Sequence, residues 1–187
     1  MALTTLADVK AFKNVTTTEH DLELVRLMPV VQAFIEAECN RTLNQGTGLV
    51  EYYSTVPGQT TLLLRRPPVS SITSIYDDPE RSYGASTLLD STDYVLTDEE
   101  AGLLTFPSYR TSGGVHNLKV TYTGGYTAAE LALLAQAAIE LIWLARDKGD
   151  GALLGINSKS VADGSVTIRN DWPSGVDAIL DLYRLRR

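Results

Sequence analysis

The sequence is poor in the residues that carry most protein chemistry. It holds one cysteine, Cys39, and two histidines, His20 and His116, among 187 residues. A lone cysteine excludes an internal disulfide, so the fold is expected to stand without an oxidising compartment. Cys39 lies in an apolar stripe at helical spacing and reads as a small buried hydrophobe rather than a reactive thiol. The two histidines lie in different segments, and neither has the i, i+4 partner of a helical zinc site. His20 falls in the first turn of an expected helix and His116 in a turn beside a strand. No nucleophile or orienting acid stands at a recognisable spacing from either.

Positive charge is also scarce. Lys and Arg total 16 against 23 Asp and Glu, for a net charge of −7. Tight binding to nucleic acid needs clustered cations to neutralise phosphates, so an acidic chain is a poor candidate for it. No apolar run approaches the roughly 18 residues of a membrane span, and the first residues lack the basic-then-apolar pattern of a signal peptide. Gly46-Thr47-Gly48 lacks the Lys-Ser/Thr ending of a phosphate loop and is read as a helix stop. Asp77-Asp78 and Asp98-Glu99-Glu100 lack the alternating ligand spacing of a calcium loop and are read as solvated turns. The expectation is a protein without enzymatic activity, metal or cofactor.

The chain has a clear order of patterns. Thr5 and Asp8 make a capping box for a short helix from Leu6 to Lys13. Thr18 and Asp21 offer a second box, followed by Leu24, Leu27, Met28, Val31, Phe34, Ile35 and Cys39 at helical spacing. Pro29 inside that pattern is expected to kink or split the helix. From Leu49 to about Thr123 the period changes to two, with turn signals at Pro57-Gly58 and Asp77 to Glu80. Asp93 to Leu96 and Gly102 to Phe106 read as a hairpin across the Asp98-Glu99-Glu100 turn. Gly124-Gly125 closes this region, and Thr127 with Glu130 is expected to cap a helix over 128–144. Ser158 to Val161 and Ser165 to Arg169 flank Asp163-Gly164, a hairpin signal. A last helix follows Trp172-Pro173, with a basic end.

The fold class is therefore α+β. A helical body, made of N-terminal helices, a long central helix and a C-terminal helical tail, carries an inserted small antiparallel β module. The expected parts are 1–48 (N-terminal helical), 49–125 (β module), 126–172 (long helix and hairpin) and 173–187 (tail), forming one domain overall. The segment 128–144 is Ala- and Leu-rich and nearly free of charge. A helix apolar on most faces must be buried on most faces, which suggests packing against a neighbouring subunit as well. Leu131, Leu134, Leu141 and Ile142 are the candidate subunit contacts. Val176, Ile179, Leu180 and Tyr183, with Arg184, Arg186 and Arg187, form an amphipathic basic tail suited to a groove on a partner.

Several of these segments resemble the head–tail connector (adaptor) proteins of tailed bacteriophages and related gene transfer particles. The start, Leu3-Thr4-Thr5-Leu6-Ala7-Asp8-Val9-Lys10, is similar to that family's first helix. Leu62 to Arg66, Pro67-Pro68-Val69 and Ser70-Ser71-Ile72 resemble its Arg-Pro-Pro-Val strand pair. Asp93-Tyr94 followed by Gly102-Leu103-Leu104 resembles its next hairpin. Val120-Thr121-Tyr122-Thr123-Gly124-Gly125-Tyr126 resembles the junction leading into its long helix, although the proline usual near that helix start is missing. The ending from Pro173 to Arg184 resembles its last helix.

The resemblance implies a ring, typically of twelve subunits, under the portal protein of a DNA-filled capsid. Its neighbours would be the portal and a tail or stopper protein, and double-stranded DNA would pass through it without specific binding. The tail would reach toward the portal. The location implied is the virion, at the head–tail interface, after assembly in the host cytoplasm, with no membrane partner. Strong negative charge in such a ring suits a conduit that does not grip DNA. A second reading is a small binding module whose tyrosines, Tyr52, Tyr53, Tyr76, Tyr83 and Tyr109, stack on carbohydrate or a host surface.

Overall fold

The first helix, α1 (Leu6–Phe12), begins at the expected capping box. Thr5 Oγ1 accepts from the Asp8 amide, and the Thr5 amide donates back to the Asp8 carboxylate, both at 3.2 Å. The second helix, α2 (Asp21–Glu38), starts differently. His20 stands at its N-cap without a side-chain bond, and the Thr18 carbonyl accepts from the Asp21 amide. The Thr18 and Asp21 box is thus replaced by a backbone turn. Pro29 does not split α2. The carbonyl that loses its donor belongs to Val25, whose side chain is 51% exposed on a face that water reaches. The third helix, α3 (Ala132–Lys148), starts four residues after its expected beginning, because 128–131 form turns. The last helix is α4 (Ser174–Tyr183).

This computed structural model describes residues 2–148, 156–159, 166–168 and 174–184, and within them the chain is mixed α+β. It divides into two compact units, Met1–Thr42 with Ala128–Arg187, and Leu43–Thr127. In the first unit α3 packs against α1, α2 and α4. Its core includes Val9, Leu24, Leu27, Val31, Ile35, Leu134, Leu141 and Leu180. Ala137, Ala138 and Ala145 are buried on α3, where small side chains let helices approach closely. Trp143 Nε1 donates to the Val9 carbonyl at 2.9 Å, tying α1 to α3.

The second unit holds β1 (Gly46–Thr55), β2 (Thr61–Leu63), β3 (Val69–Asp77), β4 (Val95–Asp98), β5 (Leu103–Thr105) and β6 (Gly114–Gly124). They form two antiparallel sheets, β1-β6-β3 and β2-β5-β4. Gly46 opens β1 rather than stopping a helix, since α2 has already ended at Glu38. The segments before and after Pro67-Pro68 form strands, as their patterns imply, and β2 and β3 belong to different sheets. Leu62, Leu64, Leu104 and Phe106 form one core with Tyr53, Ile75, Leu118, Val120 and Tyr122.

The Gly124-Gly125 junction has a steric cause. A Cβ on Gly124 would collide with the Arg66 carbonyl oxygen, and one on Gly125 would lie 2.6 Å from that of Asn44. Gly125 also has φ +95°, a region side chains disfavour. Its amide donates to the Pro68 carbonyl at 2.8 Å. Later in the chain β7 (Ile156–Lys159) pairs antiparallel with β8 (Val166–Ile168). The turn expected at Asp163-Gly164 and the Trp172-Pro173 step lie outside the described residues.

Candidate functional site

The residues singled out for docking on α4 have internal partners. Val176 and Leu180 are fully buried and Tyr183 is nearly so, while Ile179 is half-buried. The Tyr183 hydroxyl donates to the Glu130 carbonyl at 2.6 Å. Arg184 bridges Glu38 at 3.1 Å and Asp181 at 2.5 Å. The outward side of α4 carries Leu182, which is 70% exposed. Arg186 and Arg187 lie outside the described residues.

Leu131, Leu134, Leu141 and Ile142 are likewise buried inside the first unit. The chain itself meets the burial demand of α3. Among the described side chains, what α3 leaves exposed is Ala132, Leu133, Gln136 and Asp147.

The larger apolar surface lies on α2, where the sequence reading did not place it. Leu22 is 89% exposed, and Val25 and Val30 are close to half exposed. With Pro29 and Ala33 they form a second apolar stripe, opposite Leu24, Leu27, Val31 and Ile35. The signal was present as Leu22, Val25, Pro29 and Ala33 at i, i+3, i+7 and i+11, hidden beside the stronger inward stripe. A groove lined by Leu3, Leu6, Val25, Met28, Pro29 and Ile142 runs alongside. α2 is thus apolar on two sides, one buried in its unit and one exposed.

In the second unit the tyrosines separate into two groups. Tyr53 is buried and Tyr109 half-buried, so the sugar-stacking reading loses both. Tyr53 bonds Glu51 through its hydroxyl, and the Tyr109 hydroxyl donates to Asp77 at 2.9 Å. Burial, with that bond to Asp77, pushes the Tyr109 hydroxyl up to about 12. Burial likewise pushes the Tyr53 and Tyr122 hydroxyls well above their ordinary value. Tyr52 and Tyr76 instead flank Lys119 in one cross-strand row on the outer face of the β1-β6-β3 sheet.

The Lys119 amine lies 5.3 Å from the Tyr76 ring centre and 5.4 Å from that of Tyr83. The Tyr52 ring lies 5.5 Å from Tyr83 and 6.3 Å from the His116 ring. Tyr83 donates to the His116 carbonyl at 2.6 Å. Its place is set by Asp78, whose carboxylate accepts from the amides of Glu80, Ser82 and Tyr83 and from the Ser82 hydroxyl. The Ser82 hydroxyl and these amides hold the Asp78 carboxyl below its ordinary range. Arg81, Tyr83 and His116 all have positive φ. Asp77 is buried and structural, accepting from Tyr109, Ser112 and Asn117.

Burial pushes the Cys39 thiol up to about 11, which keeps it protonated and inert. No group of His, Cys, Asp and Glu among the described residues is arranged to hold a metal ion. No helix among them is long and apolar enough to cross a membrane.

A family model described as head completion protein matches residues 2–185. No curated protein matches the chain. Among solved structures, a chain in the neck of an empty GTA particle, computed with C6 symmetry, is similar at TM-score 0.65 and 18% identity. That match covers 99% of this chain and 91% of the other. A chain in the neck of a native GTA particle, computed with C12 symmetry, is similar at TM-score 0.54 and 18% identity, over 88% of this chain and 83% of the other. A chain of the virion of a native gene transfer agent particle has TM-score 0.58 and 17% identity, over 99% and 91% respectively. At these identities the likeness establishes a shared fold.

Proposed function

The chain belongs to the head completion protein family, and on that premise we propose that it is the adaptor subunit that forms a ring under the portal, joins capsid to tail and lines part of the DNA conduit. The observation that carries this reading is the extent of the family match, which takes in both compact units rather than one module. The fold shared with neck chains of GTA particles, reconstructed with C6 and C12 symmetry, supports a ring, with twelve subunits as the proposed number. Its place is the virion neck, after assembly in the host cytoplasm. The reading is structural, with no catalytic step.

The physical support is the outward stripe of Leu22, Val25, Pro29 and Val30 on α2. Exposed apolar area of this kind is stabilised by covering it, and ring neighbours would do so. Leu133 on α3 would join that contact, with Leu131, Leu134, Leu141 and Ile142 holding the helix from beneath. The tail meets the portal through Leu182, Arg184, Arg186 and Arg187, while Val176, Ile179, Leu180 and Tyr183 seat α4 on its own unit. The tail-side face meets a tail or stopper protein.

The test is native mass measurement of the full chain mixed with the portal of the same particle. A complex with a ring of this chain on each portal is expected. A chain that stays free at all ratios would contradict the portal contact.

A further inference from the structure

We propose that the outer face of the β1-β6-β3 sheet binds the acidic β4–β5 turn of a second copy of this chain, an inference that rests on the ring reading above. The face is built around Tyr52, Tyr76, Arg81, Tyr83, His116 and Lys119. It offers aromatic rings and two cations in a chain whose net charge is −7. The Lys119 amine is held against Tyr76 and Tyr83, which fixes a long, mobile cation in one position. Asp78 fixes the loop that carries Arg81 and Tyr83 through four hydrogen bonds. The face is therefore preorganised, and ordering it on binding costs little.

The occupant follows from charge. Glu99 and Glu100 stand exposed at the tip of the β4–β5 hairpin. Asp98 beside them is engaged with the Ala101 amide at 2.9 Å, so the turn is rigid as well. Among the described residues, neither Glu99 nor Glu100 forms an ion pair within the chain, and neither does Arg81 or Lys119. The second unit thus carries two cations on this face, Arg81 and Lys119, and two carboxylates on that turn, Glu99 and Glu100, outside any ion pair among the described residues. Two different complementary patches on one subunit give a head-to-tail contact, which closes into a ring when the rotation allows. Opposite potentials set register and partner choice more than raw affinity. The apolar stripe on α2 supplies area; this contact supplies orientation.

The test uses two charge-reversed forms of the full chain. One carries Arg81→Glu and Lys119→Glu; the other carries Glu99→Lys and Glu100→Lys. Self-association is followed by analytical ultracentrifugation with and without portal, after circular dichroism shows each form folded. Each form alone should associate on the order of tenfold or more weakly than wild type. An equal mixture should recover wild-type association, because each form then meets its complement. Raised salt should weaken the wild-type contact.

Reversed forms that assemble as wild type does would overturn this contact and leave the ring reading standing. A mixture that fails to recover would overturn it as well. Wild-type chain that stays monomeric with and without portal would overturn the ring reading and this contact together. A short duplex DNA is the competing probe. Binding of it by wild type, lost on Arg81→Glu with Lys119→Glu, would assign the face to nucleic acid instead.

Discussion

The Tyr183 hydroxyl donates to the Glu130 carbonyl at 2.6 Å, closing the C-terminal helix against the start of α3. The residues that make the tail look like a docking peptide are thus the ones that hold it on its own unit. Stability and docking in this segment are separable by choice of residue. Leu180→Ala is expected to destabilise the chain by about 2–5 kcal/mol, because a fully buried side chain leaves a cavity. Arg184→Gln should change stability by less than about 1 kcal/mol, its ion pairs being partly exposed. Urea unfolding gives both values. In a portal-binding measurement the order should reverse among folded variants, with Arg184→Gln the more damaging.

Trp143 and Val9 define a second tie. Trp143→Phe keeps an aromatic ring but removes the indole donor that bonds the Val9 carbonyl. A loss of about 1–3 kcal/mol in unfolding free energy is expected. Hydrogen exchange should show the added opening first in α1, the shortest described helix of its unit.

Gly125→Ala tests the junction between β6 and the segment leading into α3. The added methyl meets the Asn44 carbonyl at 2.6 Å at a backbone φ of +95°. A cost of about 1–3 kcal/mol is expected, readable as a lowered thermal midpoint. A neutral outcome would mean that Asn44 moves aside freely.

The acid limb of stability should depend on Asp78. Its folded carboxyl is held below the ordinary value of 3.8, chiefly by the Ser82 hydroxyl and backbone amides. A depressed folded value gives stability that is present above 3.8 and is lost as pH falls below it. Asp78→Ala should therefore be less stable than wild type at neutral pH and should lose less on acidification. Unfolding curves from pH 7 down to about pH 3 would show the two lines converging.

Much of the fold was legible in local patterns. The Thr5 and Asp8 box marked α1, and the change of period after Leu49 marked the β module. Thr18 and Asp21 carried the same box pattern yet did not cap α2, because the Thr18 carbonyl takes the amide in a turn. The β2 and β3 segments are adjacent in sequence, and no local pattern encodes that they join different sheets around one core. Amphipathicity showed that Val176, Leu180 and Tyr183 share a face but not what covers it, and the cover is the chain's own core. Tyr52, Tyr76 and Tyr83 stood out in the sequence as candidate stacking residues, but not their meeting with Lys119, which sheet register sets for Tyr52 and Tyr76 and the Asp78-held loop sets for Tyr83.

Particles assembled without this chain give the most direct test of its role as a connector. Electron microscopy of such particles should show DNA-filled heads that lack tails, with loose tails alongside, and addition of the purified chain should restore joining. Particles that are normally tailed without it would contradict the account.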